Sequence, residues 1–577
     1  MLNRKSTLFV FILLTLTVIM IYTYSCPAAT FDYQTILGFW EGEFMPGNNL
    51  TLILNFRMLG NETVTGQIVL FQGNVQIQND PLKDVLLKDN ILSFYIEAKN
   101  TRFNGSLETG GQEITGDFHF PDGTVHPLLV RKVAAPSLRE YTLNRSEPNG
   151  HDILERKYSG AQLQDDLTFL RDQLENTHPQ LYLYSSKEKF DALFDSTFLT
   201  INDEMTEDEF FRRMAVIVAK VNCSHTGIRF SREFSRALES RKNLIPLDIR
   251  FIESKAYIIA DYSHNPAVEA GMQLLSINGI PSSEVMRKLN ASIPSDGFNE
   301  SLKRHEINSQ FARLYSQYIG NYERFDLECA TDAGRKIRIQ LPAMTQEMLD
   351  SAIRQAHPER TGIDSSPLEI EVNNETSIAV LTVKSFGAPD PERYNAFLRE
   401  SFARMRTEGI RHLIIDVRGN KGGHPFFAAE LLSYLARSDF VYFKRPLEQG
   451  ELTSLYQPIQ PKEHAFSGDI YILINGGCLS STGHFLSLVR FHKMAILIGE
   501  EPGGSFYCND GSKQRVLPNT KIELNLPQLT FQTAVTGFEK GDPLLPDHDV
   551  KPSLEDFLSG RDAVMEYTMR LIEMSVR

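Results

Sequence analysis

The stretch that decides the fold of the C-terminal half reads DIYILINGGCLSSTGH and spans residues 469–484. Its first part, Asp469–Asn475, is an almost unbroken apolar run, which is typical of a parallel β-strand that is covered on both faces. The pair Gly476-Gly477 follows and permits a sharp turn, and an amphipathic segment comes after it. The stretch therefore predicts a strand, a tight turn and a helix, with Ser480 at the turn.

A serine at such a turn lies where backbone N–H groups and the positive end of the helix dipole converge. That environment stabilises an alkoxide and the oxyanion of a tetrahedral intermediate, so Ser480 is a candidate nucleophile. The alternative is that Ser480 caps the helix, which is a common structural use of serine. The spacing Gly477-x-x-Ser480-x-x-Gly483 also differs from the Gly-x-Ser-x-Gly elbow of α/β-hydrolases.

The sequence around this stretch alternates between strand and helix patterns from about residue 367 to the end of the chain. Predicted strands cover 378–383, 412–417 and 469–475, and helices are expected near 391–408, 425–437 and 482–493. Such alternation indicates an α/β fold.

A glycine-rich loop, DVRGNKGG at residues 416–423, ends the strand before this stretch. Its glycines suit a loop whose amides face a substrate carbonyl, and Asp416 and Arg418 can lock that loop by pairing. Taken alone, the segment fits any glycine-rich turn.

Residues 31–135 predict an all-β sandwich or barrel, because short apolar strands are separated by Gly, Asn and Asp clusters. Trp40, in Gly38-Phe-Trp-Glu-Gly42, resembles the Gly-x-Trp start of lipocalin-like barrels, and we expect it to anchor the core. A helical part is predicted over 150–242, with a capping-box pattern at residues 206–209. Its last helix ends near Asn222, which places His225 on a connection.

Residues 243–340 alternate again between apolar and polar positions. The segment Ala270–Pro281 resembles the Gly-x-x-Ile/Leu-x-x-Ile-Asn-Gly core of PDZ domains, which bind peptide ends by strand addition. A small β domain with a purely structural role is the alternative.

The pattern of the first residues of the chain predicts that the protein is exported. Arg4-Lys5 precede an apolar run from Leu8 to Tyr22, the layout of a secretory signal. Ser25-Cys26 resembles a bacterial lipoprotein cleavage site, although Thr23 stands where that motif prefers an aliphatic residue. We therefore expect a signal peptide over residues 1–26, and a lipid anchor on Cys26 stays open. The expected location is the periplasm or outer membrane of a bacterium, or the cell surface or extracellular space.

Composition restricts the function further. A chain of 577 residues is too long for one hydrophobic core. A net charge of −14 without a basic stripe argues against a nucleic-acid partner. Besides Cys26 the cysteines are Cys223, Cys329, Cys478 and Cys508, without a CxxC pair, and no His-Glu-x-x-His unit occurs. We expect neither a metal nor another cofactor.

Several ordered motifs together resemble the family of C-terminal-processing (tail-specific) proteases and the tricorn core. In chain order they are Asp416–Gly423, Gly477–Ser480, Gly499–Gly504 and Pro546–Val550. The resemblance covers about residues 150–577. It implies a multidomain α+β and α/β chain with an N-terminal lipocalin-like β-barrel, a helical cap, a PDZ-like domain and a crotonase/ClpP-like catalytic core over 341–577.

The resemblance also indicates how the serine is activated. The tail-specific branch uses a lysine in a Gly-Lys-Gly context after the nucleophile, but no lysine occurs between Glu500 and Gly511. The tricorn-type branch uses the histidine of a Ser-His pair and a glutamate near the C-terminus. The pair Ser224-His225 and the residue Glu539 match these positions.

The resemblance therefore implies acyl transfer, in which Ser480 attacks and His225 acts as the general base. Ser224 and Glu539 would orient the imidazole. Rival residues stay open at this point. They are Ser481 as nucleophile, His424 or His484 as base, and Glu500, Glu501 or Asp542 as carboxylate.

The implied oxyanion hole consists of the N–H of Ser481 with that of Gly422 or Gly423. The implied function is hydrolysis of peptide bonds, near the C-termini of protein or peptide substrates that the PDZ-like domain binds. Family members commonly carry a glutamate soon after the nucleophile, whereas this chain has Ser480-Ser-Thr-Gly483. That difference keeps two alternatives open. One is a catalytically retired relative that binds peptides or hydrophobic ligands, and the other is an esterase or amidase that uses the same serine.

Overall fold

The computed structural model describes residues 35–44, 50–59, 63–72, 75–108, 110–121, 123–133, 153–357, 366–387, 390–444 and 451–576. The predicted signal segment, residues 1–26 with Cys26, lies outside these residues. In the part of the chain that is described, no helix has the length and apolar character needed to cross a membrane. The chain divides into two compact units, residues 1–147 and 148–577.

The first unit contains a closed barrel of antiparallel strands, one of the two architectures expected from the sequence. The strands are β1 (Gly38–Glu43), β2 (Leu50–Leu59), β3 (Thr63–Gln72), β4 (Val75–Lys88), β5 (Ile91–Ile96), β6 (Thr101–Leu107), β7 (Glu113–His119) and β8 (Val125–Val133). β1 pairs with both β2 and β8, which closes the barrel. Trp40 is fully buried and donates its indole N–H to the carbonyl oxygen of Ile36 at 2.7 Å, so it anchors the core as predicted.

The second unit contains mixed sheets and most of the helices. Its helices are α1 (Gly160–Thr177), α2 (Lys187–Thr200), α3 (Glu207–Ala219), α4 (Arg232–Glu239), α5 (Ser282–Ser292), α6 (Glu300–Tyr318), α7 (Gln346–Ala356), α8 (Pro391–Thr407), α9 (Pro425–Ser433), α10 (Ser481–Phe491), α11 (Leu554–Ser559) and α12 (Ala563–Val576).

Its strands are β9 (Lys157–Tyr158), β10 (Met205–Thr206), β11 (Gly227–Arg229), β12 (Leu247–Ile252), β13 (Lys255–Asp261), β14 (Gln273–Ile277), β15 (Ile280–Pro281), β16 (Arg324–Ala330), β17 (Lys336–Pro342), β18 (Leu368–Asn373), β19 (Ile378–Val383), β20 (His412–Asp416), β21 (Asp469–Ile474), β22 (Ile496–Gly499), β23 (Tyr507–Asp510), β24 (Lys513–Val516), β25 (Glu523–Leu526), β26 (Leu529–Gln532) and β27 (His548–Asp549).

The central sheet of this unit has the order β18-β19-β20-β21-β22-β27. β18 is antiparallel to β19, and the remaining pairs are parallel. The apolar strand predicted at 469–475 is β21, which lies beside β20 with Asp416 opposite Leu473. Because the carboxyl ends of adjacent parallel strands share one edge of a sheet, the loops after β20 and β21 meet there.

The helical part that precedes β12 holds His225 on a connection. α3 begins with the predicted capping box between Thr206 and Glu209, and its apolar face packs into a cluster that includes Phe210, Met214 and Val218. β11 follows and pairs with β25. The connection between α3 and β11 is therefore fixed at both ends.

Residues 244–344 form a sheet of order β12-β13-β14-β16-β17, with β15 added to β14. α5 and α6 lie between β15 and β16 in the chain. The first turn of α6 packs against the loop after β21, because the carbonyl oxygen of Ser301 would lie 2.2 Å from a Cβ added at Gly476. This contact brings the α5–α6 connection to the edge of the central sheet.

Glu207, the first residue of α3, ties the two sides of the His225 segment together. It is buried and accepts the backbone N–H of Ser231 at 2.6 Å and its hydroxyl at 2.8 Å. Ser231 is the N-cap of α4. Burial raises the pKa of the Glu207 carboxyl to about 7, so the folded state resists its ionisation.

We predict that the packing of α3 and α4 in the wild type loses stability as pH rises from about 4.5 to about 7. The variant Glu207→Gln, which cannot ionise, should not show this loss. The unfolded chain loses the proton first, so the folded state is penalised across that window, by about 2–3 kcal/mol in total. Hydrogen exchange of amides in α3 and α4 at several pH values measures the effect. The control is Glu239→Gln at an exposed position. The prediction is wrong if the stability difference between wild type and Glu207→Gln changes with pH no more than the difference between wild type and Glu239→Gln.

Candidate active site

Ser480 lies at the turn between β21 and α10 in a conformation that few L-residues adopt. Its φ and ψ are 56° and −125°, and such backbone strain is concentrated at functional sites. Ser480 occupies the N-cap position of α10, but its side chain makes no capping hydrogen bond. Instead, its Oγ lies 3.2 Å from Nε2 of His225. The alternative interpretation, in which the Ser480 side chain caps the helix, is therefore not what the structure shows.

Ser224 connects the other imidazole nitrogen to a carboxylate. The Ser224 Oγ lies 3.2 Å from Nδ1 of His225 and donates its proton to Oδ1 of Asp296 at 2.9 Å. The backbone N–H of Ser224 donates to the same oxygen at 2.8 Å. Since the hydroxyl proton of Ser224 points to Asp296, its lone pair accepts Nδ1–H of His225. That tautomer leaves Nε2 free to accept the proton of Ser480, as a general base must.

Asp296 lies on the connection between α5 and α6, in the turn sequence Pro294-Ser-Asp-Gly297. Its Oδ2 is buried and has no hydrogen-bond partner among the described residues. Burial raises the pKa of the Asp296 carboxyl, and the nearby His225 acts in the opposite direction. Sequence reasoning missed this residue, because a Ser-Asp-Gly turn carries no catalytic signal of its own.

A second carboxylate approaches the imidazole from the side of the nucleophile. Oδ2 of Asp510, the last residue of β23, lies 3.4 Å from Nε2 of His225, and its side chain is 38% exposed. The hydroxyl of Ser512 donates to Oδ1 of Asp510 at 3.1 Å. Two carboxylates therefore flank His225, one at each ring nitrogen. Sequence reasoning did not single out Asp510 either.

Glu539 is not brought to this site. It lies exposed in a loop, where its backbone N–H donates to Oδ2 of Asp542 at 2.7 Å. Among the residues that the structure describes, no hydrogen bond or ion pair joins Glu539 to His225 or Ser224. The Glu539 side chain is exposed, although its neighbour Phe538 packs against Phe506 with ring centroids 5.5 Å apart. The carboxylate that the structure connects to His225 through Ser224 is that of Asp296.

Two rival carboxylates face α6 instead. Glu501 accepts the side-chain N–H of Asn299 at 2.9 Å, and Glu500 lies 4.0 Å from the guanidinium of Arg304. Burial raises the pKa of both carboxyls.

The rival nucleophile and bases are engaged elsewhere. Ser481 donates its hydroxyl to the carbonyl oxygen of Gly423 at 2.6 Å. His484 is buried with Nε2 3.3 Å from the Cys508 sulfur, and burial lowers its pKa to about 3. His424 is exposed and caps α9 by accepting the N–H of Phe426 at 3.4 Å. These groups stabilise the surroundings of the site.

The loop after β20 is held by Asn420, which is completely buried. Its side-chain N–H donates to the carbonyl oxygen of Val383 at 3.0 Å, and its Oδ1 accepts the N–H of Gly422 at 2.9 Å. Its own carbonyl oxygen accepts the N–H of Leu479 at 3.1 Å. Asn420 therefore joins β19, the glycine loop and the turn before Ser480.

Two backbone N–H groups beside Ser480 remain free. The N–H of Gly422 is used by Asn420, whereas no acceptor among the described residues takes the N–H of Gly423 or Ser481. Gly422 packs directly on the turn, since an added Cβ would lie 2.8 Å from the Ser480 Cβ. Of the donors expected from the sequence, the N–H groups of Gly423 and Ser481 are therefore available to an oxyanion. Gly422 instead lets the glycine loop lie close to the turn at Ser480.

The predicted pairing of Asp416 with Arg418 is present and extends further. Arg418 donates to both carboxylate oxygens of Asp416, at 2.9 and 2.6 Å, and to Asp562 at 2.8 Å. Asn475 accepts the N–H groups of Gly419 and Gly477 at 2.9 and 3.0 Å. The two loops at the sheet edge are thus joined to each other and to the start of α12.

The side chains of Cys223, His225 and Asp296 have metal-binding atoms within 4.8 Å of one another. Burial raises the pKa of the Cys223 thiol to about 12, whereas a metal binds the thiolate. The hydroxyl of Ser224 already bridges His225 and Asp296. The group fits a hydrogen-bonded relay better than a metal site.

Comparisons with known proteins show which family and which proteases the chain is similar to. Residues 377–550 match the profile of peptidase family S41. The carboxy-terminal processing protease CtpB of Bacillus subtilis is 20% identical over 237 residues, which are 40% of this chain and 41% of that protein. A probable CtpA-like serine protease of Staphylococcus haemolyticus is 25% identical over 136 residues, which are 23% of this chain and 26% of that protein.

Among solved structures, mature CPAF aligns with a TM-score of 0.51 at 14% identity, over 72% of this chain and 97% of CPAF. At that identity the likeness shows a shared fold. The chain spans less than half the length of the two protease relatives, 41% and 26%. The match to the peptidase family S41 model is thus confined to residues 377–550, and the chain is similar to carboxy-terminal processing proteases over part of its length.

Proposed function

We propose that this chain is a serine endopeptidase in which Ser480 is the nucleophile and His225 is the general base. The observation that carries the proposal is the 3.2 Å approach of Ser480 Oγ to His225 Nε2, between residues 255 positions apart in the sequence. The strained φ of Ser480 and its unused capping position support it. A serine with only a structural role has no need of either feature.

In the proposed reaction, Ser480 attacks the scissile carbonyl carbon while Nε2 of His225 takes its proton. The negative charge on the carbonyl oxygen is stabilised by the N–H groups of Gly423 and Ser481. Nε2 then gives the proton to the leaving amine, and the acyl-enzyme forms on Ser480. Water, activated by His225, hydrolyses the acyl-enzyme and restores the site.

Ser224 and Asp296 have a positioning role in this mechanism. Ser224 holds Nδ1–H of His225, and Asp296 holds Ser224 through two donors on one carboxylate oxygen. This arrangement fixes the ring and its tautomer, and a negative Asp296 favours the imidazolium that forms during attack. We therefore propose Asp296 as the carboxylate of the relay.

The proposed substrates are proteins or peptides that are cut near their C-termini, which is the activity named for the relative from B. subtilis. We propose that residues 243–340 are a PDZ-like domain that receives peptide ends, that 150–242 form a helical cap, and that 341–577 form a crotonase/ClpP-like core. The sheet β12-β13-β14-β16-β17 and the mostly parallel sheet β18-β19-β20-β21-β22-β27 are compatible with this division. For residues 31–135, a lipocalin-like barrel is proposed from Trp40 and the closed strand order.

We also propose that the chain is exported, because Arg4-Lys5 and the apolar run that follows have the layout of a secretory signal. The proposed location is the periplasm, the outer membrane through a lipid on Cys26, or the cell surface. Mass spectrometry of the mature N-terminus tests both cleavage and acylation.

We predict that a fluorophosphonate probe labels the wild type and that Ser480→Ala abolishes the label. Ser481→Ala, which keeps its backbone N–H, should still react, since its hydroxyl is used by Gly423. His225→Ala should lower the rate on casein on the order of 1,000-fold or more. Absence of labelling would favour the retired binding protein. Turnover of short acyl esters without cleavage of any unfolded protein would favour the esterase or amidase.

For the relay, we predict that Asp296→Asn lowers kcat on the order of 100-fold with little change in KM, because the tautomer and the imidazolium lose their support. The acidic limb of the pH–rate profile should move to lower pH, since a negative charge near the base is lost. Glu539→Gln is the matched control and should behave as the wild type. If Asp296→Asn behaves as the wild type and Glu539→Gln loses activity, Glu539 is the carboxylate that supports His225.

For the oxyanion loop, we predict that Asn420→Ala lowers kcat on the order of 100-fold, because the N–H groups of the glycine loop lose their placement. It should also lower the free energy of unfolding by about 1–3 kcal/mol, since buried polar groups lose partners. Single-turnover acylation and urea unfolding measure the two effects. Destabilisation with a normal acylation rate would show that Asn420 is only structural.

A further inference from the structure

Asp510 is the carboxylate that the mechanism above does not use. Its Oδ2 lies 3.4 Å from Nε2 of His225, the same nitrogen that faces Ser480 Oγ at 3.2 Å. The Asp510 side chain is 38% exposed, whereas Asp296 reaches the imidazole from the opposite nitrogen through Ser224. Asp510 is therefore open to a bound substrate, and Asp296 is enclosed.

The position of Asp510 relative to the scissile bond follows from the chemistry of Nε2. This nitrogen hands its proton to the leaving amine, so it faces the first residue after the scissile bond, P1′. The oxyanion donors, the N–H groups of Gly423 and Ser481, bind the carbonyl oxygen on the other side of the reacting carbon. A carboxylate 3.4 Å from Nε2 thus lies at the leaving-group end of the cleft.

The charge of Asp510 is not cancelled by a basic side chain. Its described partners are the Ser512 hydroxyl and His225, and no lysine or arginine in the described residues forms an ion pair with it. Asp510 also acts electrostatically to raise the pKa of the Asp296 carboxyl, so the two carboxyls are close enough to interact. A substrate group that arrives at this end meets a negative potential.

We propose that Asp510 selects substrates by the charge of the P1′ residue. It favours lysine or arginine at P1′ and disfavours aspartate or glutamate. It also disfavours a P1′ residue that carries the free α-carboxylate, so removal of a single C-terminal residue is suppressed and cleavage occurs further from the chain end. The inference rests on the proposed function, because it assumes that the Ser480–His225 pair cleaves peptides.

The other role open to Asp510 is a general one, in which it stabilises the imidazolium whatever the substrate. The two roles predict different kinetics. A general role lowers kcat/KM for all substrates by one factor, whereas charge selection changes the ratio between substrates that differ only at P1′. The ratio therefore separates them.

The experiment uses the full chain and a casein peptide that the wild type cuts at one bond, as located by mass spectrometry. That peptide is resynthesised with Lys, Gln or Glu at P1′, and as a version that ends at P1′ with either an amide or a free carboxylate. We expect the wild type to prefer Lys over Glu, and amide over carboxylate, on the order of 10-fold in kcat/KM at low salt. Asp510→Asn should bring both ratios close to one.

Asp117→Asn is the control, because it changes the net charge equally and lies exposed on β7 of the barrel; it should keep the wild-type ratios. Equal kcat/KM of the wild type on the Lys and Glu peptides would overturn the inference. A fall in kcat/KM of Asp510→Asn by the same factor for all peptides would overturn it too. If the wild type cuts no peptide and takes no fluorophosphonate label, the proposed function itself fails. That outcome is distinct from labelling and cleavage without charge preference.

Discussion

The approach of Ser480 Oγ to His225 Nε2 depends on a strained turn, and the rest of the site is arranged to hold it. A positive φ at a serine costs on the order of 1–3 kcal/mol, which persists only where the surroundings over-determine the backbone. Here the surroundings are crowded. A Cβ at Gly476 would lie 2.2 Å from the Ser301 carbonyl oxygen, and one at Gly477 would lie 2.5 Å from the His305 ring. The glycines let α6 press against the turn, and the turn has no room to relax.

The electrostatics of the site divide between two carboxylates with different access to solvent. Asp296 is coupled to His225 through Ser224 and keeps one oxygen buried without a partner. Asp510 lies at the opposite nitrogen with 38% of its side chain exposed. An enclosed charge acts strongly on a fixed neighbour, whereas an exposed charge acts on whatever enters the cleft. Ser224 and Asp296 therefore orient the imidazole at Nδ1. Nε2 faces Asp510 and, in the proposed reaction, the substrate.

The parts of the site that local patterns encode could be predicted from the sequence. Ser480 follows an apolar strand and two glycines, and the Ser224-His225 pair follows a capped helix, so each lies at the end of an element with a strong signal. Asp296 and Asp510 could not be predicted, because each meets His225 only through the packing of distant segments; Ser224 and Asp296 are 72 positions apart. Glu539 matched a pattern by its place in the chain, whereas the structure leaves its side chain exposed, and its role stays a prediction.

The proposed relay takes its carboxylate from a part of the chain that chain order alone does not indicate. A catalytic carboxylate is defined by where its oxygen lies relative to the histidine, and unrelated hydrolases supply it from different points of the chain. Here Asp296 precedes α6, and α6 contacts the loops after β20 and β21 through Glu306 on Lys421, at 2.7 Å, and His305 on Gly477. The same helix therefore sets the position of the carboxylate and of the nucleophile turn. The 244–344 region consequently contributes to the proposed site, because moving it would displace Asp296 and loosen the turn together.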